Sequence, residues 1–321
     1  MNLKTLAELC GTSTATVSKA FSGSRDISDA TREHIFDVAK EHGCFDKYNK
    51  NKFHKYVVAI ICPEIISDFY ASLVSKLIKE LDANGALAII SQTDFKSERA
   101  HELYAFYSSY AKVDGVILFD SLSEDSIEIN VPTVTMLSSK DTSFGLDMAP
   151  GVFAAAERLK ELGHTKIAFA GETLTKSRLS HFKSAMRASG ITLNDEYISV
   201  SESRFEAAGE EAAEKLLACA EPPTAIIAAY DYIAIGLIKK LMSKGYSVPE
   251  DFSIVGIDNI TLAPYLETSL STIGFDKDEV CHVVVRTLMA KIKNKYRDTL
   301  TRPIIKSRFI ERDSVSAPRK K

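Results

Sequence analysis

Between Leu6 and Phe21 the chain sets short polar side chains at helical spacing: Thr14, Thr16, Ser18 and Lys19 face one way, with the small Ala15 among them. Such side chains hydrogen-bond to base edges and phosphates, and a helix carrying them fits a DNA major groove about 12 Å wide. Thr14 and Ala15 lie at the N-terminal end, which enters deepest. Lys19 can reach a guanine or a phosphate. Ser13 can cap this helix and so point its positive dipole end outward. Gly11 permits the reversal between two helices packed at a steep angle, and Ala7 lets them approach closely. An ordinary helical hairpin would share this pattern, so the segment alone leaves both readings open.

Other chemistries find little support. His34, His42, His54, His101, His164, His181 and His282 form no metal-ligand spacing. No nucleophile elbow or paired-carboxylate motif is present, and His164 reads as the end of a helix in a turn. Neither G-x-G-x-x-G nor G-x-x-x-x-G-K-[ST] occurs, so no nucleotide cofactor is indicated. No catalytic residue, metal ligand or cofactor is therefore assigned. Cys10, Cys44, Cys62, Cys219 and Cys281 are odd in number and scattered, which argues for a reducing compartment rather than a disulfide framework. With no signal peptide and no apolar run of about 18 residues, the expected location is the cytoplasm.

Three short helices position the polar face. Asn2 can cap the first, which runs to about Cys10 with Leu3, Leu6, Ala7 and Cys10 on one side. The second, Thr14 to Phe21, buries Ala15 or Val17 together with Ala20 and Phe21. Ser28 caps a third, Asp29 to about His42, with Ile35, Phe36, Val38 and Ala39 inward. From Tyr56 the texture changes to strand–helix alternation. Strands are expected at Val57–Cys62, Ala86–Ser91, Gly115–Phe119, Thr133–Met136, Lys166–Ala170, Tyr197–Val200, Ala225–Ala229 and Ser253–Ile257. Helices are expected near 69–83, 97–111, 150–162, 176–189, 205–219, 232–244 and 277–293. Such alternation means βαβ units and parallel sheets covered on both faces, and this many units point to two sheets.

Charge follows the same division. The net charge of −3 splits into +2 for residues 1–56 and −5 for the remainder. Asp46 against Lys47, Lys50, Lys52 and Lys55 makes a basic run that reads either as a solvated linker or as phosphate contacts. The expected organisation is a headpiece at 1–45, a basic linker at 46–56 and a body at 57–321.

The N-terminal segment resembles the DNA-binding headpiece of the lac repressor (LacI/GalR) family of bacterial regulators. The family pattern appears as Asn2-Leu3-Lys4-Thr5-Leu6-Ala7, as Gly11 through Gly23, and as Ile27-Ser28-Asp29-Ala30-Thr31-Arg32-Glu33. The likeness continues in order along the chain. Pro63…Asp68-Phe69-Tyr70 is similar to the family's P-D-x-x-N-P-F-F loop, Val113 through Ile117 to V-D-G-I-I, and Glu161 through Phe169 to E-L-G-H-x-x-I-A-F. Val248 through Asn259 is similar to V-P-x-D-x-S-V-V-G-F-D-D.

The resemblance implies a body of two Rossmann-like subdomains similar to periplasmic sugar-binding proteins, joined by three crossovers, with a small-molecule effector in the cleft. The subdomains are expected at roughly 57–147 plus 276–300, and 148–275 plus 301–315. The body would form a homodimer and set two headpieces on a pseudo-palindromic double-stranded operator, half-sites about 34 Å or a multiple apart. Asn2, Lys4, Ser22, Ser28 and Thr31 join the recognition helix as candidate DNA contacts. Effector closure would change operator affinity through its differential affinity for two body conformations.

Two regions depart from the family pattern. Between 44 and 56 the usual hinge residues are missing, and Phe53 stands where a minor-groove leucine would be. It is either an intercalating wedge or part of a flexible basic tether. In the cleft, Phe69 and Tyr70 follow the first strand, where open α/β sheets bind ligands. Arg178 and Asp258 match the family's ligand arginine and aspartate, the bland readings being a surface ion pair and a loop cap. Tyr230 replaces an asparagine, Met148 replaces another, and Arg204 and Phe275 stand at positions often aromatic or amide. A sugar or sugar derivative is the expected effector class, and Arg178 with Arg204 suggests a charged or modified one. Control by a protein partner, or by no effector, is the alternative; a solute-binding receptor is the third reading.

Overall fold

The computed structural model describes residues 1–22, 24, 26–49, 54–119, 130–136, 144–293 and 303–319. Phe53, Lys50 and Lys52 lie outside the described residues. Contacts divide the chain into two compact units, Met1–Tyr56 with Gly85–Leu87, and Val57–Asn84 with Ala88–Lys321.

Each of the first three helices starts on a side-chain cap, which satisfies an amide the helix itself cannot pair. Asn2 accepts from the Thr5 amide to open α1 (Leu3–Leu9), Ser13 from Thr16 to open α2 (Thr14–Phe21), and Ser28 from Thr31 to open α3 (Asp29–Glu41). Gly11 turns α1 into α2 at φ +61°, a left-handed conformation that favours glycine. Leu6, Val17, Ala20, Ile35 and Ala39 form the buried centre of the headpiece. Val17 is thus the inward residue of α2, and Ala15 is exposed. A one-turn helix, α4 (Phe45–Tyr48), closes this small core. The Phe45 and Tyr48 rings lie 5.6 and 5.8 Å from Phe21, and the Tyr48 hydroxyl and Lys47 ammonium donate to the Met1 carbonyl at 2.8 and 2.9 Å. The basic run expected to begin the linker at 46 therefore starts inside a helix packed on the headpiece.

In the body, β1 (Tyr56–Cys62), α5 (Asp68–Ala83), β2 (Ala86–Gln92), α6 (Ser97–Ala105, prolonged by a π-helical turn at Phe106–Tyr110), β3 (Gly115–Leu118) and β4 (Thr133–Thr135) come first. They make a sheet of order β2-β1-β3-β4, with β1–β3 and β3–β4 parallel. There follow β5 (Gly145–Asp147), α7 (Ala149–Glu161), β6 (Ile167–Glu172), α8 (Lys176–Ala188), β7 (Ile198–Ser201), α9 (Phe205–Leu217), β8 (Ala225–Ala228), α10 (Asp231–Ser243), β9 (Ser253–Ile257), β10 (Ser271–Gly274), α11 (Lys277–Ile292), β11 (Ile304–Lys306) and β12 (Arg308–Ile310). The second sheet runs β12-β10-β9-β8-β6-β7, parallel except for β12. Its central strands are buried along their whole length, as β-branched runs covered on both faces must be.

The chain passes three times between the halves. It crosses at β5, at the step from β10 to α11, and at β11, with β5 and β11 paired in a parallel two-stranded ribbon. Helix α11 returns to the first sheet and packs on α5, β3 and β4. Strands β5, β10, β11 and β12 were not expected from the sequence. All are three or four residues long, and β10 (Ser-Thr-Ile-Gly) carries no run of apolar side chains.

One close approach bears on the site. A Cβ on Gly236 would stand 2.0 Å from the Glu206 carbonyl oxygen, and one on Gly209 would stand 2.1 Å from that of Ile233. The backbones of α9 and α10 therefore touch, which fixes the starts of both helices side by side.

Candidate effector cleft and DNA-reading face

Chain ends of strands supply the cleft, because a parallel sheet delivers the loops after its strands to one edge. Glu64 and Ser67 follow β1, and Phe69 and Tyr70 open α5. Phe95 follows β2, Glu172 ends β6, Arg204 follows β7, Tyr230 follows β8 and Asp258 follows β9. With Arg178 and Phe205 these residues line a cavity of about 120 Å³.

Arg178 and Asp258, each expected to contact a ligand, hold each other. The guanidinium donates through Nη2 to Oδ1 at 2.7 Å and through Nη1 to Oδ2 at 3.3 Å, and Nη1 also donates to the Ala229 carbonyl. Burial opposes the Arg178 charge, but Asp258 outweighs it and raises the guanidinium pKa. Burial also raises the Asp258 carboxyl despite Arg178. Asp258 has φ +108° and the next residue, Asn259, φ +47°. Non-glycine residues adopt such conformations where the surroundings force them, typically at binding sites. Behind this pair, Asp231 is fully buried, accepting from the Thr272 hydroxyl at 2.6 Å and the Ile260 amide at 2.8 Å. Burial first and Asp258 second push its carboxyl up to about 7.

Arg204 makes the second fork. It donates to Glu64 through Nη1 at 3.1 Å and Nη2 at 3.3 Å, with the Phe95 and Phe205 rings 4.8 and 4.5 Å from its guanidinium. Glu64 and Phe95 belong to the first sheet's half and Arg204 and Phe205 to the second's, so this pair bridges the cleft. Asp68 does the same, accepting from the Thr261 amide at 3.0 Å and its hydroxyl at 3.3 Å. Bidentate pairing with aromatic stacking is geometry that arginine provides and lysine does not. The Arg204 Nε and the Ser67 hydroxyl, from opposite halves of the cavity lining, are buried without hydrogen-bond partners among the described residues.

Tyr230 takes the place of an amide without losing polarity. Its hydroxyl accepts from the Phe205 amide at 3.0 Å and lies 3.5 Å from Glu172 Oε1, and burial pushes its pKa up to about 12. Phe69 and Tyr70 form an edge-to-face pair, ring centroids 5.1 Å apart, on the opposite side.

Phe275 is set apart from the other candidates. It lines a small apolar pocket of about 10 Å³ with Leu73, Leu146, Met148 and Lys277, which adjoins the main cavity through Phe69 and Asp258. Sequence reasoning missed Glu64, Phe95, Glu172, Phe205 and Asp231. Position was the available signal, since Glu64 and Glu172 stand at the carboxyl ends of strands, as Asp258 does. Among the described residues no group of His, Cys, Asp and Glu side chains could hold a metal ion.

In the headpiece, Thr14, Ala15, Ser18 and Lys19 are exposed along α2. Lys19 pairs with Asp26 at 3.2 Å and holds that carboxyl below its usual range. The Ser22 hydroxyl donates to the Lys19 carbonyl at 3.2 Å. Thr16 and Ser13 share a hydroxyl contact of 2.8 Å, and Thr31 and Ser28 one of 2.7 Å. Ser13, Ser28 and Asn2 therefore have structural duties besides any contact with DNA, whereas the Lys4, Thr14 and Ser18 side chains make no hydrogen bond or ion pair among the described residues.

Residues 2–44 match the family model of bacterial regulatory proteins of the lacI family, and residues 156–315 match that of the periplasmic binding protein-like domain. The chain is 30% identical over 321 residues to the ribose operon repressor of Haemophilus influenzae, covering 94% of this chain and 96% of that protein. It is 29% identical over 318 residues to the HTH-type transcriptional repressor PurR of Vibrio vulnificus, covering 92% and 93%. Among solved structures, the complex of the transcriptional regulator CelR with cellobiose superposes with a TM-score of 0.70 at 25% identity, covering 98% and 99% of the two chains. A LacI family regulator from Enterococcus faecium with bound ribose gives 0.70 and 25%, covering 81% and 99%. Headpiece, two-sheet body and full-length similarity agree, and the chain belongs to the lacI family of bacterial regulatory proteins.

Proposed function

We propose that this protein is a repressor-type transcription regulator acting in the cytoplasm, in which α2 reads an operator and a small polyhydroxylated molecule in the cleft adjusts operator affinity. The reading is of a regulator rather than a catalyst. The observation that carries it is the cavity between the two sheets, walled by the Arg178–Asp258 fork and the Phe69, Tyr70 and Tyr230 rings. Rings stack on sugar C–H faces while forked charges pair with hydroxyls. Relatives named for ribose or solved with cellobiose support the same class. On the headpiece, Thr14, Ala15 and Ser18 are the base readers, with Lys4, Lys19, Ser22 and Thr31 at phosphates and the helix starts capped by Asn2, Ser13 and Ser28 presenting amides to the backbone.

Operator reading in this form needs two headpieces. Ile89 and Ile90 of β2, with Phe106 and Tyr110 after α6, leave apolar surface exposed, which supports a homodimer through the first half of the body. Selection of binding sites from a random DNA pool, with and without a monosaccharide and disaccharide panel, tests the whole proposal. Recovery of a pseudo-palindrome whose retention changes with one panel member is the expected result. A non-symmetric or absent consensus would overturn it.

A further inference from the structure

The carboxylates lining the cavity outnumber its cations. Glu64, Glu172 and Asp258 face it, against Arg178 and Arg204. Both guanidiniums are already engaged in two-pronged pairs, Arg178 with Asp258 and Arg204 with Glu64. An anionic ligand would have to displace a built-in carboxylate from a partly buried fork, leaving that carboxylate unpaired, which is costly. Of the charged or modified sugars that the two arginines suggest, an anionic one is therefore disfavoured.

Glu172 has no cation of its own. Its residue is 2% exposed. One carboxylate oxygen, Oε2, accepts from the Leu174 amide at 2.9 Å, with the Thr173 hydroxyl at 3.5 Å. The other, Oε1, has among the described residues only the Tyr230 hydroxyl, at the limiting distance of 3.5 Å. That hydroxyl is held in place by the Phe205 amide. A buried carboxylate gains most from a charged donor, because neutral donors satisfy its lone pairs but leave its charge uncompensated. Burial works against the Arg204 charge, yet Glu64 and, more weakly, Tyr230 and then Glu172 carry its pKa above the ordinary guanidinium value.

We propose that the effector is an aminated polyol, its ammonium group seated on Glu172 Oε1 beside the Tyr230 hydroxyl, its hydroxyls facing the outer edge of the Arg178–Asp258 fork and the Phe69 and Tyr70 rings. This inference rests on the effector-responsive reading of the cleft and specifies its ligand. It makes Glu172 and Tyr230 specificity determinants.

Isothermal titration of the full chain at neutral pH tests it with matched sugars: glucosamine and galactosamine against glucose and galactose, N-acetylglucosamine to remove the charge, and glucuronate to reverse it. One amino sugar is expected to bind about ten- to hundredfold more tightly than its neutral parent, the range of one added charged hydrogen bond, with acetylation abolishing the gain. Glu172→Gln keeps an acceptor for the Leu174 amide and is expected to bring the amine-to-parent ratio close to one. Equal or tighter binding of the neutral parent or of glucuronate overturns the amine inference and leaves the effector reading standing. Binding of no sugar in the panel sinks the amine inference and counts against the effector reading as well. An amine preference that survives Glu172→Gln overturns the assignment to Glu172; should that variant fold poorly, the wild-type panel by itself still decides the amine inference.

Discussion

The headpiece and the cleft solve opposite problems with polar side chains. In the headpiece they are spent locally. Asn2, Ser13 and Ser28 each cap a helix by accepting from an amide three residues ahead, and the outward face of α2 is left exposed to meet a partner. In the cleft they are spent at long range: Arg178 reaches Asp258 and Arg204 reaches Glu64, which is 140 positions away in the chain. A surface that must meet a large polyanion can afford loose, screened charges, whereas charges taken out of water must find partners before any ligand arrives. The cleft is thus preorganised by its own ion pairs, and what remains unbalanced there, Glu172, says more about a ligand than the charges that are matched.

The sharpest test removes a long-range partner. Arg178→Ala leaves Asp258 without its guanidinium, with Asp231 close behind, and is expected to lower the unfolding free energy of the body by about 3–5 kcal/mol. A loss below about 1 kcal/mol in chemical denaturation would mean that water reaches this pair and that the cleft resembles the headpiece surface after all.

A local change has a smaller and confined effect. Ser13→Ala and Ser28→Ala each remove a cap and are expected to cost the headpiece about 1 kcal/mol, read by its own thermal transition. Ser13→Ala should weaken operator binding more than Ser28→Ala, because its helix carries the reading face whereas Ser28 serves only a backbone contact. Equal effects of the two variants on operator affinity would contradict the assignment of α2.

Response to acid separates the units in a different way. His164 in the body is buried, its ring bonded to the Thr224 hydroxyl at 2.8 Å, the Ser253 hydroxyl at 3.1 Å and the Ser316 carbonyl at 2.8 Å, and burial lowers its pKa. The folded body thus prefers the neutral ring. Stability from this group is complete above the unfolded value of about 6.5 and is lost as pH falls towards the lowered folded value, with a slope of at most about 1.4 kcal/mol per unit. The headpiece histidines, His34 and His42, are exposed. Denaturation between pH 7 and 5 should therefore weaken wild type more than His164→Gln. Asp231, raised to about 7, gains protons over the same range and opposes the loss, so the comparison with the variant isolates the histidine.

The smallest effect on stability belongs to Lys19. Its pair with Asp26 is exposed and screened by water, so its loss should leave folding stability nearly unchanged. On DNA, Lys19→Ala is expected to weaken operator binding and, if the contact is to phosphate, to reduce the salt slope by about one. An unchanged slope with relaxed sequence preference would move Lys19 to a guanine.

Much of this was legible in the chain because its causes are local. Ser13 and Thr14 declare a helix start, Gly11 a left-handed turn, and Ile-Val-Gly-Ile at 254–257 a strand buried on both faces. Two adjacent positions in β6 show where legibility stopped. A strand expected to end at Ala170 runs to Glu172, and that extension carries the carboxylate into the cavity. The ribbon of β5 and β11 was illegible for the same reason, since three residues form a strand only when a distant partner supplies the hydrogen bonds.

By itself the sequence determined the capped helices of the headpiece, the alternating body and the family, since each rests on spacings within about thirty residues. Tertiary structure alone decided that Arg178 and Asp258 face each other, that Phe275 lies in an adjoining apolar pocket, and that Glu172 is buried in the cavity wall with one carboxylate oxygen held only at 3.5 Å among the described residues. Those facts depend on which strand ends the sheets bring to one edge, and no local spacing encodes that.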